Sequence, residues 1–271
     1  MKQSVFINWK EEQLSATIDY PDNLKEGVKY PLVIICHGFI GSKVGVDRLF
    51  VKAAQQLNQD QLIVLRFDLS GCGESSGNYG QTGLHDFIDQ LRTVIDFSCQ
   101  LKQINSNQIT LLGHSLGGAT AVLTAVKDVR IKRLILWSSV AYPLEDISRI
   151  VGKENVRSLE LVSEFDYLGY SLTMPFFESL AFYQPLQSTV HYSGNVLIVH
   201  GTGDDDIPVK YAKEYEKTLS KRLSGKVIRY EINGANHTYS NAAHFTELIQ
   251  TTRKWVCDEM NIEQKQNVSN F

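Results

Sequence analysis

The 271-residue chain has little of what marks several protein classes. Its four cysteines, Cys36, Cys72, Cys99 and Cys257, are widely spaced and form no Cys-x-x-Cys pair. That argues against a zinc ribbon and fits reduced thiols packed as small apolar groups. No apolar run approaches the roughly 20 residues needed to cross a bilayer. Residues 1–10 lack the apolar stretch of a secretory signal, so a soluble, cytoplasmic protein is expected. Neither sign of charge dominates: 27 Lys and Arg against 30 Asp and Glu leave no basic face for nucleic acid. With 43% apolar and 21% charged residues the chain is unlike a disordered one, and it is long enough to bury a substantial core. It contains no internal repeat, and only the polar tail 261–271 is expected to fray.

What the sequence does contain is an alternation of short apolar runs and helical patterns. Residues 3–9 and 13–20 read as an antiparallel strand pair. Buried strands are expected at 31–36, 62–67, 109–112, 133–137, 196–199 and 226–230. Helices are expected from about 47 to 57, 84 to 95, 116 to 127, 208 to 223 and 240 to 256, the second from apolar residues Leu84, Phe87, Ile88, Leu91, Val94 and Ile95 recurring at three and four. This order predicts an α/β fold, a mostly parallel central sheet with helices on both faces. Residues 141–195 break the rhythm. No clean strand is apparent there, and Pro143, Pro175 and Pro185 fall among aromatics such as Phe165, Tyr170 and Phe176. So long a segment must fold on something, and it reads as an inserted, mainly helical cap. The core is then 1–140 with 196–260, and the cap is expected over the C-terminal edge of the sheet.

Gly113-His114-Ser115-Leu116-Gly117 is the sharpest motif. Gly-x-Ser-x-Gly alone is weak, but here it follows a short apolar strand and opens a helix, as a nucleophile elbow does. A serine needs a positioned base to be nucleophilic at neutral pH. Of seven histidines, His37, His114 and His200 lie inside other motifs, His85 starts a helix and His191 lies in the cap. His237, in the loop between the last strand and the last helix, is the expected base, with His244 second. The supporting acid should follow the strand 196–199, where Asp204, Asp205 and Asp206 are adjacent. Asp204 is preferred, the other two remain open, and Asp206 best suits a helix cap. The oxyanion needs two backbone donors, expected at Leu116, after the serine, and at Phe39 in the loop His37-Gly38-Phe39. The Gly-rich stretch from Asp68 to Gly77 lacks the Gly-Lys-Ser/Thr of a P-loop and reads as a structural turn. Neither a cofactor nor a metal is expected.

Together, His37-Gly38-Phe39, Arg66-Phe67-Asp68 through Gly77, the Ser115 motif, His200-Gly201-Thr202-Gly203-Asp204 and His237 resemble the α/β-hydrolase superfamily over about residues 30–257. Within it the chain looks most like the bacterial cinnamoyl (feruloyl) esterases and related carboxylesterases. The resemblance implies a Ser115, Asp204, His237 triad with Phe39 and Leu116 as oxyanion donors. It also suggests that Asp146 and Tyr170, in comparable stretches of the cap, contact the acyl group.

The expected activity is therefore hydrolysis of a small-molecule ester, with small to medium acyl or aryl groups and hydroxycinnamoyl esters among them, by a monomer or homodimer. The same triad serves thioesterases, lipid hydrolases, peptidases and acyltransferases. A binding protein that kept the fold and lost the chemistry would be expected to lack one of the three residues.

Overall fold

Each buried strand of this chain is a run of four to six apolar residues, too short for a helix and apolar on both faces, so the sheet has to be covered twice. The computed structural model describes the backbone of residues 1–268 and the side chains of residues 1–260. Its main sheet comprises β1 (Lys2–Trp9), β2 (Glu12–Asp19), β3 (Tyr30–Cys36), β4 (Ile63–Phe67), β5 (Ile104–His114), β6 (Ile131–Trp137), β9 (Asn195–Gly201) and β10 (Val227–Ile232). The order is β1-β2-β4-β3-β5-β6-β9-β10. β1 and β2 pair antiparallel, as do β2 and β4, and the other pairings are parallel.

Period-two alternation sends side chains of one strand to two separate cores. Leu32, Ile34 and Cys36 of β3 join a core with α2 (Leu84–Cys99), α3 (Leu116–Ala125), α8 (Lys210–Leu219) and the cap. Val33 and Ile35 join a second core with α1 (Leu49–Asn58) and α9 (Ala242–Val268). Helix α1 begins two residues later than expected because Asp47 and Arg48 take left-handed backbone conformations, φ 51° and 61°. Helix α9 runs on through Val268, into the segment expected as a frayed tail, and residues 269–271 of that tail lie outside the described residues. Among the described residues no helix is long and apolar enough to cross a membrane.

The inserted segment carries α4 (Pro143–Val151), α5 (Lys153–Ser158), α6 (Met174–Phe182) and α7 (Pro185–Ser188). Where the sequence shows no clean strand, β7 (Glu164–Tyr167) and β8 (Tyr170–Thr173) form an antiparallel hairpin. Its two-residue turn, Leu168-Gly169, has positive φ at both positions, 53° and 85°. Such turns usually carry Asn-Gly or Asp-Gly, and a leucine in the first place hides the signal.

The cap is seated firmly on the core. Thr173 Oγ1 donates to the Gly80 carbonyl at 2.7 Å, and the Leu84 amide donates to Ser179 Oγ at 2.9 Å. At Gly80 the hairpin comes so near that a Cβ would lie 1.6 Å from the Ser171 carbonyl oxygen. Gly80→Ala is therefore expected to displace the hairpin and destabilise the protein by about 1–3 kcal/mol. Urea unfolding checks this, and a wild-type midpoint would contradict the tight seating.

Candidate active site

Strand β5 ends and α3 begins at Ser115, whose backbone is held at φ 57°, ψ −125°. A non-glycine residue there is strained by on the order of 1–3 kcal/mol and has to be held by its surroundings. The Ser115 amide donates to the Trp137 carbonyl (3.0 Å), and its own carbonyl accepts from Gly118 (2.9 Å) and Val140 (3.1 Å). Glycine is required on both sides. A Cβ at Gly113 would lie 2.3 Å from the Gly117 carbonyl oxygen, and one at Gly117 would lie 2.3 Å from the carbonyl oxygens of Cys36 and His37. The loop after β3 passes just as near, since a Cβ on Gly38 would meet Ser115 Cβ at 2.8 Å.

Two loops at the same sheet edge supply an acid and a histidine. Asp204 Oδ2 accepts from His237 Nδ1–H at 2.8 Å, and the Asp204 side chain is wholly buried. Its Oδ1 accepts the amides of Asp206 (3.0 Å) and Ile207 (2.8 Å). His200 Nε2–H approaches both Asp204 Oδ2 (3.2 Å) and the Ile207 carbonyl (3.0 Å). Burial alone would raise the Asp204 carboxyl, but the His200, His237 and Ile207 donors outweigh it and hold it well below the usual carboxylate range. With Nδ1–H donating to the carboxylate, Nε2 is the ring nitrogen of His237 left to accept a proton. Asp205 and Asp206 are exposed, and of the three adjacent acids Asp204 is the one bonded to His237.

His114, inside the serine motif, braces the His237 loop. Its Nε2–H donates to the His237 carbonyl at 2.8 Å, and the two rings lie 4.6 Å apart. Burial, with His237 alongside, pushes His114 down to about 3. His37 is also buried and lowered by burial; its Nδ1–H donates to the Gly38 carbonyl and its Nε2 accepts the Leu69 amide. That pair of bonds fixes its tautomer and ties the loop carrying Phe39 to the segment after β4. The Phe39 amide has no acceptor among the described residues, and the Leu116 amide is one of the unpaired first-turn donors of α3.

The Gly-rich stretch read as a plain turn does more than turn. Lys43, buried behind the Phe39 loop, sends Nζ to Asp68 Oδ2 (2.5 Å), Glu74 Oε2 (2.6 Å) and Ser15 Oγ (3.0 Å). The Glu74 amide also donates to Asp68, and a Cβ at Gly73 would lie 2.3 Å from that carboxylate. Arg66 adds a second buried pair, to Asp19 at 2.8 Å, and donates to the Lys43 carbonyl at 2.7 Å. Lys43 was missed from sequence because nothing local distinguishes it. The available signal was an arginine and an aspartate flanking Phe67 at the end of an apolar strand.

Ser115, His237, Phe39 and Tyr170 line one cavity of about 660 Å³ beneath the cap. Tyr170 is half-buried, and burial with the Cys72 thiol beside it pushes its phenol up. Asp146 does not line this cavity. Its side chain is 1% exposed and accepts from Tyr211 Oη at 3.0 Å and Arg149 Nη2 at 3.3 Å, so it joins α4 to α8. Arg149 also donates to the Asp206 carbonyl, which links the cap to the acid loop. Among the described residues no three or more His, Cys, Asp and Glu side chains gather as a metal site.

The buried histidine gives stability a definite pH dependence. His114 titrates near 6.5 when unfolded and near 3 when folded, so between those values the unfolded chain binds the extra proton. The stability that this group contributes is fully present above about 6.5 and is lost as the pH drops through that window. His114→Gln can keep the donor to the His237 carbonyl without titrating. It is expected to flatten the decline between pH 6.5 and 4 by on the order of 2 kcal/mol, read from urea midpoints across pH.

Comparison with known proteins bears on the fold. The family profile described as alpha/beta hydrolase fold matches residues 31–167, just over half of the chain. An uncharacterised 31.7 kDa protein of the traX-finO intergenic region of Escherichia coli is 30% identical over 146 residues, 54% of this chain and 49% of that protein. The serine hydrolase BPHL of Mus musculus is 29% identical over 147 residues, 51% of this chain and 48% of that one. The chain thus spans about half the length of the curated relatives it matches. Est1E from Butyrivibrio proteoclasticus, solved with ferulic acid bound, superposes with a TM-score of 0.81 at 27% identity, covering 95% of this chain and 99% of that one. The sheet order, the strained serine turn and these matches together establish that the chain belongs to the α/β-hydrolase family.

Proposed function

We propose that the protein is a serine carboxylesterase acting on small to medium acyl or aryl esters. The observation that carries this reading is the Asp204–His237 pair, 2.8 Å apart, whose histidine lines the same cavity as Ser115. In the proposed reaction His237 Nε2 takes the Ser115 Oγ proton as Oγ attacks the ester carbonyl. The Phe39 and Leu116 amides receive the oxyanion. His237 then passes the proton to the leaving alkoxide oxygen, giving an acyl-Ser115 intermediate and a free alcohol. A water molecule, deprotonated by His237, attacks that intermediate and releases the acid. Asp204 stays ionised throughout and stabilises the imidazolium, consistent with its four donors.

The likeness to Est1E, whose structure holds ferulic acid, supports hydroxycinnamoyl esters as one substrate class. Tyr167 and Tyr170 on the cap wall suit an aromatic acyl group, and a cavity of about 660 Å³ is of the size that encloses such a molecule. Tyr170 is the candidate for reading a substrate hydroxyl.

Ser115→Ala is expected to lower kcat by roughly four orders of magnitude or more while the protein stays folded. A fluorophosphonate should label the wild type at Ser115 and leave the variant unlabelled; unchanged turnover in the variant would remove the mechanism. Tyr170→Phe is expected to weaken turnover of methyl ferulate over that of methyl butyrate by about 1–3 kcal/mol. Equal effects on both esters would leave a general short-acyl esterase.

A further inference from the structure

The bond from Arg149 to the Asp206 carbonyl falls on one particular peptide unit. The carbonyl of Asp206 and the amide of Ile207 belong to the same planar group, and in a trans peptide the C=O and N–H point in opposite directions. That N–H donates to Asp204 Oδ1 at 2.8 Å, and the C=O accepts from Arg149 Nη2. The unit is thus held at both ends, by a guanidinium on the cap and by the carboxylate that bonds His237. Because the peptide resists twisting, fixing its oxygen aims its hydrogen. A cation on the carbonyl also polarises the amide and strengthens the bond that the carboxylate receives.

The acid loop needs such support at one end. Its inner end is pinned at and just beyond the end of β10, where the Thr202 and Gly203 amides donate to the Ile232 and Ala235 carbonyls at 3.0 Å each. At its outer end Asp205 and Asp206 are exposed. Asp204 Oδ2 is steadied from β9 by His200, whereas Oδ1 takes its donors, the Asp206 and Ile207 amides, from that outer end. Among the described residues Arg149 is the cap side chain bonded to it. Arg149 is itself anchored, since the same Nη2 reaches Asp146 Oδ1 at 3.3 Å, and Asp146 accepts from Tyr211 Oη of α8 at 3.0 Å. Ile150, the next residue of α4, lines the cavity together with Asp206, but Arg149 does not. Arg149 is therefore placed to act on the chemistry through the acid loop, without touching the substrate.

We propose that Arg149 is a positioning residue for the acid, through which the cap sets the direction of the Asp204 carboxylate and hence of the His237 ring. The inference rests on the esterase reading and deepens it: the cap bounds the cavity and also sets the turnover rate, whichever ester is bound. Proton transfer from Ser115 depends on the alignment of His237, and a misplacement of about 1 Å in such an alignment can cost on the order of 100-fold in rate.

The test measures kcat and KM for methyl butyrate and methyl ferulate, with the rate of Ser115 labelling by a small fluorophosphonate. Arg149→Leu keeps the apolar stem and loses the donor. It is expected to lower kcat about tenfold on both esters, to slow labelling by a similar factor, and to leave each KM within about twofold. Arg149→Lys restores a donor with a shorter reach and is expected to give an intermediate kcat; it carries the test alone if Arg149→Leu does not fold. Asp146→Asn removes the other carboxylate that Arg149 meets and leaves the Asp206 bond, so its kcat is expected to stay within about twofold of the wild type. A rise in KM for methyl ferulate alone, with kcat and labelling unchanged, would assign Arg149 to the shape of the cavity and overturn the inference. An equal loss of kcat in Asp146→Asn would overturn it too, by placing the effect in the link between α4 and α8. No change in any of these quantities in the Arg149 variants does the same, and in all three cases the esterase reading stands. If the wild type neither hydrolyses these esters nor is labelled, the esterase reading fails and the inference with it.

Discussion

The left-handed backbone at Ser115 is the constraint on which the rest of the site depends. A serine at φ 57° persists only where its neighbours leave it no alternative. Three glycines make that possible, and each admits a different element: Gly113 the first turn of α3, Gly117 the carbonyls that end β3, and Gly38 the Ser115 side chain itself. A side chain at any of them would separate the strand end from the loop that carries Phe39. The parallel sheet places β3, β5 and β9 with their C-terminal ends at one edge, so loops distant in sequence meet there.

Around that turn, electrostatics does what apolar packing cannot. The loop before α1 and the segment after β4 are both irregular, and each has polar backbone to satisfy away from water. Lys43, Asp68, Glu74 and Ser15 satisfy one another there, and His37 bridges the same two segments as a neutral ring. Removing one partner from such a buried group costs more than the pair contributes, because the remaining charge is stranded. The acid loop follows the same logic at smaller scale, with the Asp204 carboxylate taking amide and imidazole donors on both oxygens.

Much of this was legible in the sequence, and the reasons are local. Strands of four to six apolar residues and the Gly-x-Ser-x-Gly turn are dictated by neighbours in the chain, so β3, β5, β9 and the Ser115 turn could be read directly. The position of His237 after the last strand placed it at the same sheet edge. Which of Asp204, Asp205 and Asp206 meets His237 depends on side-chain direction in a turn, which only the three-dimensional path decides. The cap hairpin was hidden by Leu168 where Asn or Asp is usual. Asp146 looked like a ligand-reading acid, but its partners, Tyr211 and Arg149, include a residue 65 positions away on α8. Lys43 was invisible for the same reason, since its partners come from β2 and from the turn after β4.

The central claim is that Ser115 carries the acyl group between two half-reactions. Its most direct measurement is rapid acid quench of the protein with a chromogenic butyrate ester, followed by peptide mass mapping. The account predicts a butyryl adduct on Ser115 that appears with the first turnover and decays once the ester is exhausted. Ester hydrolysis without an adduct at any time point, or with the adduct on another residue, would contradict it.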